Sequence, residues 1–156
     1  MNTDKYAIFD LDGTLADIEA RRKVSTKENG KMDWDKFFDP ENIKLDQPNW
    51  PVIAIAKMFN KQGTKVVIFS GRSKATKDAT RTWFAMYGIP YNVLKMRPTG
   101  KMQYTPDDVL KQMWLDELFP GDEKDNIVAV FDDRNKVVDM WRKNGLTCMQ
   151  VAPGDF

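Results

Sequence analysis

The chain has 156 residues, 42% of them apolar and 12% aromatic, enough to build one buried core in the usual size range of a single domain. It contains no histidine and a single cysteine, Cys148. That excludes a histidine-based triad, histidine-ligated zinc, an internal disulfide and a cysteine-rich zinc site. The formal net charge is only +1, yet residues 61–111 carry 10 basic and 3 acidic side chains. Residues 1–60 carry 9 and 11, and residues 112–156 carry 5 and 9. The basic middle reads either as a solvated face or as a surface that attracts an anionic substrate.

No apolar run approaches the roughly 20 residues that cross a bilayer. The N-terminal Met1–Lys5 is polar, without the apolar core of a signal segment. The expectation is a single domain over 1–156, without a membrane partner, in the cytoplasm (the host cytoplasm if phage-encoded).

Helical and strand patterns alternate along the chain. Tyr6–Phe9 reads as a buried strand running into Asp10. Asn49 is placed to cap a helix carrying Ile53, Ala56 and Phe59 that stops near Gly63. Lys65–Phe69 reads as a second strand, ending at Ser70. Ser73 opens a helix with Ala79, Trp83, Met86 and Tyr87, closed by Gly88. Tyr91–Leu94 reads as a third strand. Thr105 as N-cap, Pro106 at the first helical position and Asp108 three residues after the cap predict the next helix, with Val109, Leu110, Met113 and Trp114. Ile127–Phe131 is the fourth strand, ending at Asp132. A helix with Val137, Val138 and Trp141 stops at Gly145, and Leu146–Val151 is the fifth strand. Continuous apolar strands separated by helices predict an α/β, doubly wound, Rossmann-like fold with about five mostly parallel strands.

Residues 16–48 break this rhythm, being far longer than the usual connection of about 4–6 residues. Asp33 is placed to cap a short helix with Trp34, Phe37 and Phe38. The segment reads as a small insert after the first strand, pinned by those aromatics and forming a flap beside the active site.

Ligands of a parallel α/β sheet sit beyond the carboxyl ends of its strands. Three strand ends here carry Asp10-Leu11-Asp12-Gly13-Thr14, Ser70-Gly71-Arg72 and Asp132-Asp133-Arg134. Carboxylates packed together repel, so a cation must offset them. A hard divalent ion does so with oxygen ligands, and Mg²⁺ fits best where a phosphate completes its shell. Arg72 and Lys111 would face the substrate's charge. An acidic cluster rimmed by Arg, Lys, Ser and Thr is what phosphoryl transfer requires. Asp107 lies one helical turn before Lys111 and could orient its amine. Arg97, in the basic segment, is a further candidate for substrate contact, as is Gly71.

Asp10-x-Asp12-Gly13-Thr14 after an apolar strand, then Ser70, Lys111 and Asp132-Asp133, is similar to the four ordered motifs of the haloacid dehalogenase (HAD) phosphohydrolase superfamily. The match frames the chain from Tyr6 to Val151. Within it, Phe131-Asp132-Asp133-Arg134, Val137-Val138-x-Met140-Trp141-Arg142, Gly145, Cys148, Gln150-Val151-Ala152 and Gly154-Asp155-Phe156 resemble the phosphatase half of phage polynucleotide kinase-phosphatases. So do Ser70-Gly71-Arg72, Asp107-Asp108-Val109-x-Lys111 and Arg21, which follows the first aspartate by 11 residues. The kinase phosphate loop GxxxxGK[ST] occurs nowhere in the chain.

The resemblance implies roles. Asp10 would be the nucleophile that forms a phosphoaspartate. Asp12 would protonate the leaving alkoxide and then activate water. Asp10, the Asp12 carbonyl oxygen, Asp132 and Asp133 would hold Mg²⁺. Thr14 and Ser70 would donate to phosphate oxygens, Lys111 would neutralise charge, and Arg21 and Arg72 would grip the substrate. The implied activity is a Mg²⁺-dependent phosphatase removing 3′-phosphate from nucleic-acid ends; the alternative is a nucleotidase or small-molecule phosphatase acting on free nucleotides. Only 40 residues separate Ser70 from Lys111, which leaves no room for a large cap and favours an open site. A receiver-like phospho-acceptor would place its lysine after the paired acids, whereas Lys111 precedes Asp132-Asp133.

Overall fold

The structure is a computed structural model that describes residues 3–156. Its elements are, in order, β1 (Tyr6–Phe9), β2 (Ala16–Asp17), α1 (Glu19–Ser25), α2 (Trp34–Phe37), α3 (Pro40–Ile43), β3 (Gln47–Pro48), α4 (Trp50–Lys61), β4 (Lys65–Ser73), α5 (Lys77–Tyr87), β5 (Val93–Arg97), α6 (Asp107–Leu118), β6 (Ile127–Asp132), α7 (Asn135–Lys143) and β7 (Cys148–Gln150). Short 3₁₀ turns precede α5, α6 and β6.

Five strands form one parallel sheet, as the sequence predicts, and the structure gives their order as β5-β4-β1-β6-β7. The chain builds outward from β1 through β4 to β5, then returns to place β6 and β7 on the other side. That reversal puts the switch point, where ligands bind in such sheets, at the carboxyl end of β1.

Both faces are apolar, because successive side chains of a strand point to opposite faces. Ala7 and Phe9 of β1 pack with Val66, Ile68, Ala129 and Phe131 against Val52, Ile53, Trp83 and Phe84 of α4 and α5. Ile8 packs with Val67, Phe69 and Val130 against Leu110, Trp114, Val138 and Trp141 of α6 and α7. Phe9 and Phe131 stack with centroids 4.6 Å apart.

Several local expectations shift. The third sheet strand starts at Val93 rather than Tyr91, because Tyr91 packs its ring on Phe84 and Asn92 bonds to Val66 at the strand's edge. β4 runs past Ser70 to Ser73 through an irregularity in its pairing with β5. β7 is shorter than expected, Cys148–Gln150. Pro106, not Thr105, occupies the N-cap of α6. Asn49 stands at the N-cap of α4, but its side-chain amide donates to Thr14 O at 2.8 Å instead of capping the helix. It ties the insert's root to the first motif.

The insert is more structured than the single helix expected. Asp33 caps α2 as predicted. The added pieces are α1, α3 and the antiparallel pair β2-β3, which fastens the insert at its two ends. Leu15, Ala16, Ile18 and Phe37 bury into the α4/α5 core.

Candidate active site

Asp10 follows β1 directly, and Asp132 ends β6, its neighbour in the sheet. Parallel pairing of these strands therefore fixes the two carboxylates side by side. Carboxylate oxygens of Asp10, Asp132 and Asp133 lie within 4.8 Å of one another, and all three residues are buried. Lys111 reaches them from α6. Its Nζ donates to Asp10 Oδ1 at 2.8 Å and to Asp132 Oδ2 at 2.9 Å. Trp141 Nε1 also donates to Asp132 Oδ2, at 3.1 Å, and the Asp133 amide donates to Asp132 Oδ1 at 2.9 Å.

The electrostatics follow from crowding. Burial, then the charge of Asp132, pushes Asp10 well above the ordinary carboxylate range, against the pull of Lys111. Burial also raises Asp133, and Asp132 adds to it. Burial alone would lower Lys111, but Asp10 and Asp132 raise it well above its usual value, so the amine stays charged. Three carboxylates face one ammonium; a hard divalent cation is the partner an all-oxygen donor set of this spacing suits. Close packing is built in. A Cβ on Gly13, whose φ is +84°, would lie 2.1 Å from Asp133 Oδ2.

Asp12 stands apart from this cluster. Its Oδ1 accepts from Arg21 Nη2 and Arg72 Nε, both at 2.8 Å. Burial would raise Asp12, but Arg72 and Arg21 outweigh it and hold the carboxyl below its usual range. Its Oδ2 accepts from no side chain among the described residues.

The two arginines are buried. Arg21 is 0% and Arg72 1% exposed. Both turn to Asp46, a buried residue of the insert that sequence reasoning passed over. Arg21 donates to both Asp46 oxygens at 3.0 Å, and Arg72 Nη2 to Asp46 Oδ2 at 2.6 Å. Arg72 Nη1 donates to Thr80 Oγ1 at 3.1 Å, and Arg21 lies over the Phe37 ring at 4.5 Å. Burial pushes Asp46 up to about 6 against those arginines. It is therefore ionised at neutral pH, where it faces them.

The other expected residues also have partners within the protein. Thr14 is fully buried, and its hydroxyl donates to Asp10 Oδ2 at 3.2 Å. Ser70 is buried, with Oγ accepting the Arg72 amide at 3.1 Å. Asp107 forms no hydrogen bond to Lys111 and acts on it through charge alone. Its carboxylate is instead held between Arg97 Nη2 and Arg134 Nη1, the latter at 3.0 Å. Arg97 spends its remaining donors on the carbonyls of Gly71, Gln103 and Thr105. It straps β4 and α6 together across the site. Gly71 is needed there, since a Cβ would lie 2.7 Å from Asp107 Oδ1.

Above the cluster opens a cleft of about 1030 Å³, lined by Asp10, Asp12, Lys111 and Asp132 at its floor and by Arg22, Arg97 and Arg134 among its walls. Among the described residues, no helix is long and apolar enough to cross a membrane.

A parallel sheet of this order, with Asp10, Asp12, Lys111 and the Asp132-Asp133 pair at its carboxyl edge, defines a HAD phosphatase. A HAD-superfamily hydrolase from Geobacter sulfurreducens shares the fold, with a TM-score of 0.60 over 94% of this chain and 86% of that one, at 13% identity. The chain matches the phosphatase domain of polynucleotide kinase PNKP over residues 4–156, and it belongs to that family.

Related proteins agree. A protein named as a bifunctional polynucleotide kinase/RNA ligase, from Autographa californica nuclear polyhedrosis virus, is 33% identical over 145 residues, covering 89% of this chain and 18% of that protein. In the Pnkp1/Rnl/Hen1 RNA repair complex one chain superposes with a TM-score of 0.78 at 36% identity, covering 98% of this chain and 44% of that one. This chain thus spans less than half the length of either relative.

Proposed function

We propose that this phosphatase removes 3′-phosphates from nucleic-acid ends with the help of Mg²⁺ and through a phosphoaspartate at Asp10. The observation that carries the chemistry is the Lys111 ammonium held between Asp10 and Asp132 at the floor of an open cleft. The family match supports the substrate.

Asp10, Asp132 and Asp133 would hold Mg²⁺, which when bound offsets their charge and that of the phosphoryl group. In the first step an Asp10 oxygen attacks phosphorus, and the bond to the departing 3′-oxygen breaks. Asp12 gives that oxygen a proton. The arginines keep Asp12 ionised at rest, so it gains this proton only when the substrate's negative charge arrives beside it. In the second step Asp12 takes a proton from water, the hydroxide attacks phosphorus, and the Asp10–phosphorus bond breaks. One difficult displacement becomes two easier ones. Thr14 and Lys111 each hold one oxygen of Asp10, fixing the carboxylate for attack.

A 3′-phosphorylated oligonucleotide tests the reading. Phosphate should be released with Mg²⁺ and not in EDTA, and acid-quenched enzyme should carry a phosphoryl group on Asp10. Full release in EDTA, or a phosphoryl-free Asp10 throughout turnover, would contradict it.

A further inference from the structure

The walls of the cleft carry features that hydrolysis of a phosphate does not need. Trp34, from α2 of the insert, lines the cleft with 60% of its surface exposed. One side of it is backed by Phe38, whose ring stacks at 5.8 Å with an interplanar angle of 19°. Phe37 braces it edge-on at 5.6 Å. Tyr104, from the turn between β5 and α6, lines the same cleft and is 84% exposed. Large rings left this open beside a polar floor gain nothing from the fold itself.

Arg22 completes the set. Its neighbour Arg21 points into the buried network, and successive positions of a helix point in different directions. Arg22 therefore lines the cleft. Among the described residues its Nε has no hydrogen-bond partner, and Glu19 approaches only to 3.9 Å.

The insert that carries Trp34 and Arg22 is not a loose lid. Asp46, Arg21 and Arg72 bind it to β4, and Trp83 of α5 donates to the Asp46 carbonyl at 3.0 Å. Its rings are held where they stand.

We propose that Trp34, Tyr104 and Arg22 form a track for unpaired nucleotides, the two rings stacking on bases next to the 3′ end and Arg22 binding a backbone phosphodiester. This rests on the nucleic-acid reading above and names the form of substrate: single-stranded, DNA or RNA. Flat rings recognise the face of a base, and that face is available only when the base is unstacked and unpaired. A guanidinium fork suits the phosphodiester.

The test measures binding of a 3′-phosphorylated single-stranded ten-mer to Asp10→Asn protein, with Mg²⁺, against the same strand lacking bases at its last two positions. Trp34→Ala and Tyr104→Ala should each weaken binding of the intact strand by about 5- to 150-fold, the range for one stacked base. On the abasic strand most of that loss should vanish. Trp34→Phe, which keeps a ring, should retain most of the affinity. Arg22→Ala should weaken both strands alike and reduce the slope of log affinity against log salt by about 0.7–1. The same ten-mer in a blunt duplex should bind less well. Equal losses on intact and abasic strands, no loss at all, or equal binding of the duplex would overturn the track. If wild-type enzyme released phosphate from the ten-mer no faster than from glycerol phosphate, the nucleic-acid reading would fall first. Efficient release together with unchanged Trp34→Ala binding would defeat the track alone.

Discussion

Arg72 Nη2 lies 2.7 Å from Asp12 Oδ1 and 2.6 Å from Asp46 Oδ2, so one guanidinium joins the proposed acid–base carboxylate to a buried acid of the insert. Arg21 makes the same link from the other side. Asp12 is thereby oriented by residues from three separate stretches of chain, and its free oxygen is left for the substrate.

Asp46→Asn should fold and bind substrate but turn over slowly. The amide keeps the shape but offers the arginines one acceptor oxygen where the carboxylate offers two, so Asp12 loses its fixed position. A displacement of about 1 Å at a reacting group costs on the order of 10²-fold. The loss should appear in kcat and leave KM nearly unchanged. The pH profile supplies a second readout. Wild-type activity should fall as Asp46 takes a proton near pH 6, and that limb should be missing in the variant, which has nothing to titrate there. An unchanged kcat would show that Asp46 only fills space.

Arg72→Lys should be crippled, although it keeps the charge. Lysine cannot bridge two carboxylates and Thr80 as the planar fork does. Arg72 does most to hold Asp12 below its usual range. Losing its hydrogen bond to Asp12 raises the Asp12 pKa, so any step that needs ionised Asp12 should shift its acidic limb to higher pH. A limb that stays in place or moves down would count against this role.

The five strands and their parallel sheet were legible because both faces are buried, which leaves continuous apolar runs such as Ile127–Phe131; their order was not. Asp10, Asp12, Lys111, Asp132 and Asp133 were legible for a related reason: each follows such a run or sits at a set distance along a helix. The arginines were found without their partner. Sequence marks Arg21 and Arg72 as cations near the motifs and says nothing of a buried acid waiting for them. Asp46 had no such signal, lying in an insert without periodicity. Spacing puts Asp107 one turn from Lys111, but its side chain is taken by Arg97 and Arg134, partners the sequence does not indicate. Arg22 went unassigned and Trp34 was read as an anchor of the insert, because the sequence does not show that Trp34 is 60% exposed.

Mg²⁺ should raise the melting temperature of the free protein, because binding relieves repulsion among three buried carboxylates present only in the folded state. At a hundred times the dissociation constant the stabilisation is about 2.7 kcal/mol. Asp132→Asn should blunt the shift. A melting temperature indifferent to Mg²⁺ would count against the metal site.

Gly71→Ala should damage activity from outside the reacting groups. Its Cβ would meet the Asp107 carboxylate at 2.7 Å, forcing apart the contacts to Arg97 and Arg134. Unfolding in urea should show a destabilisation of about 1–3 kcal/mol, as for other overpacked sites. A variant of normal stability and activity would mean that the Asp107 cluster can shift freely.

The most direct test compares kcat/KM, with Mg²⁺, for a 3′-phosphorylated single-stranded ten-mer, its 5′-phosphorylated counterpart and a 3′-mononucleotide. The account predicts that the 3′-phosphorylated ten-mer is the best of the three, with an advantage over the mononucleotide that shrinks as salt rises. A 5′-phosphorylated strand cleaved as well, or a mononucleotide equal or better at low and high salt, would contradict it.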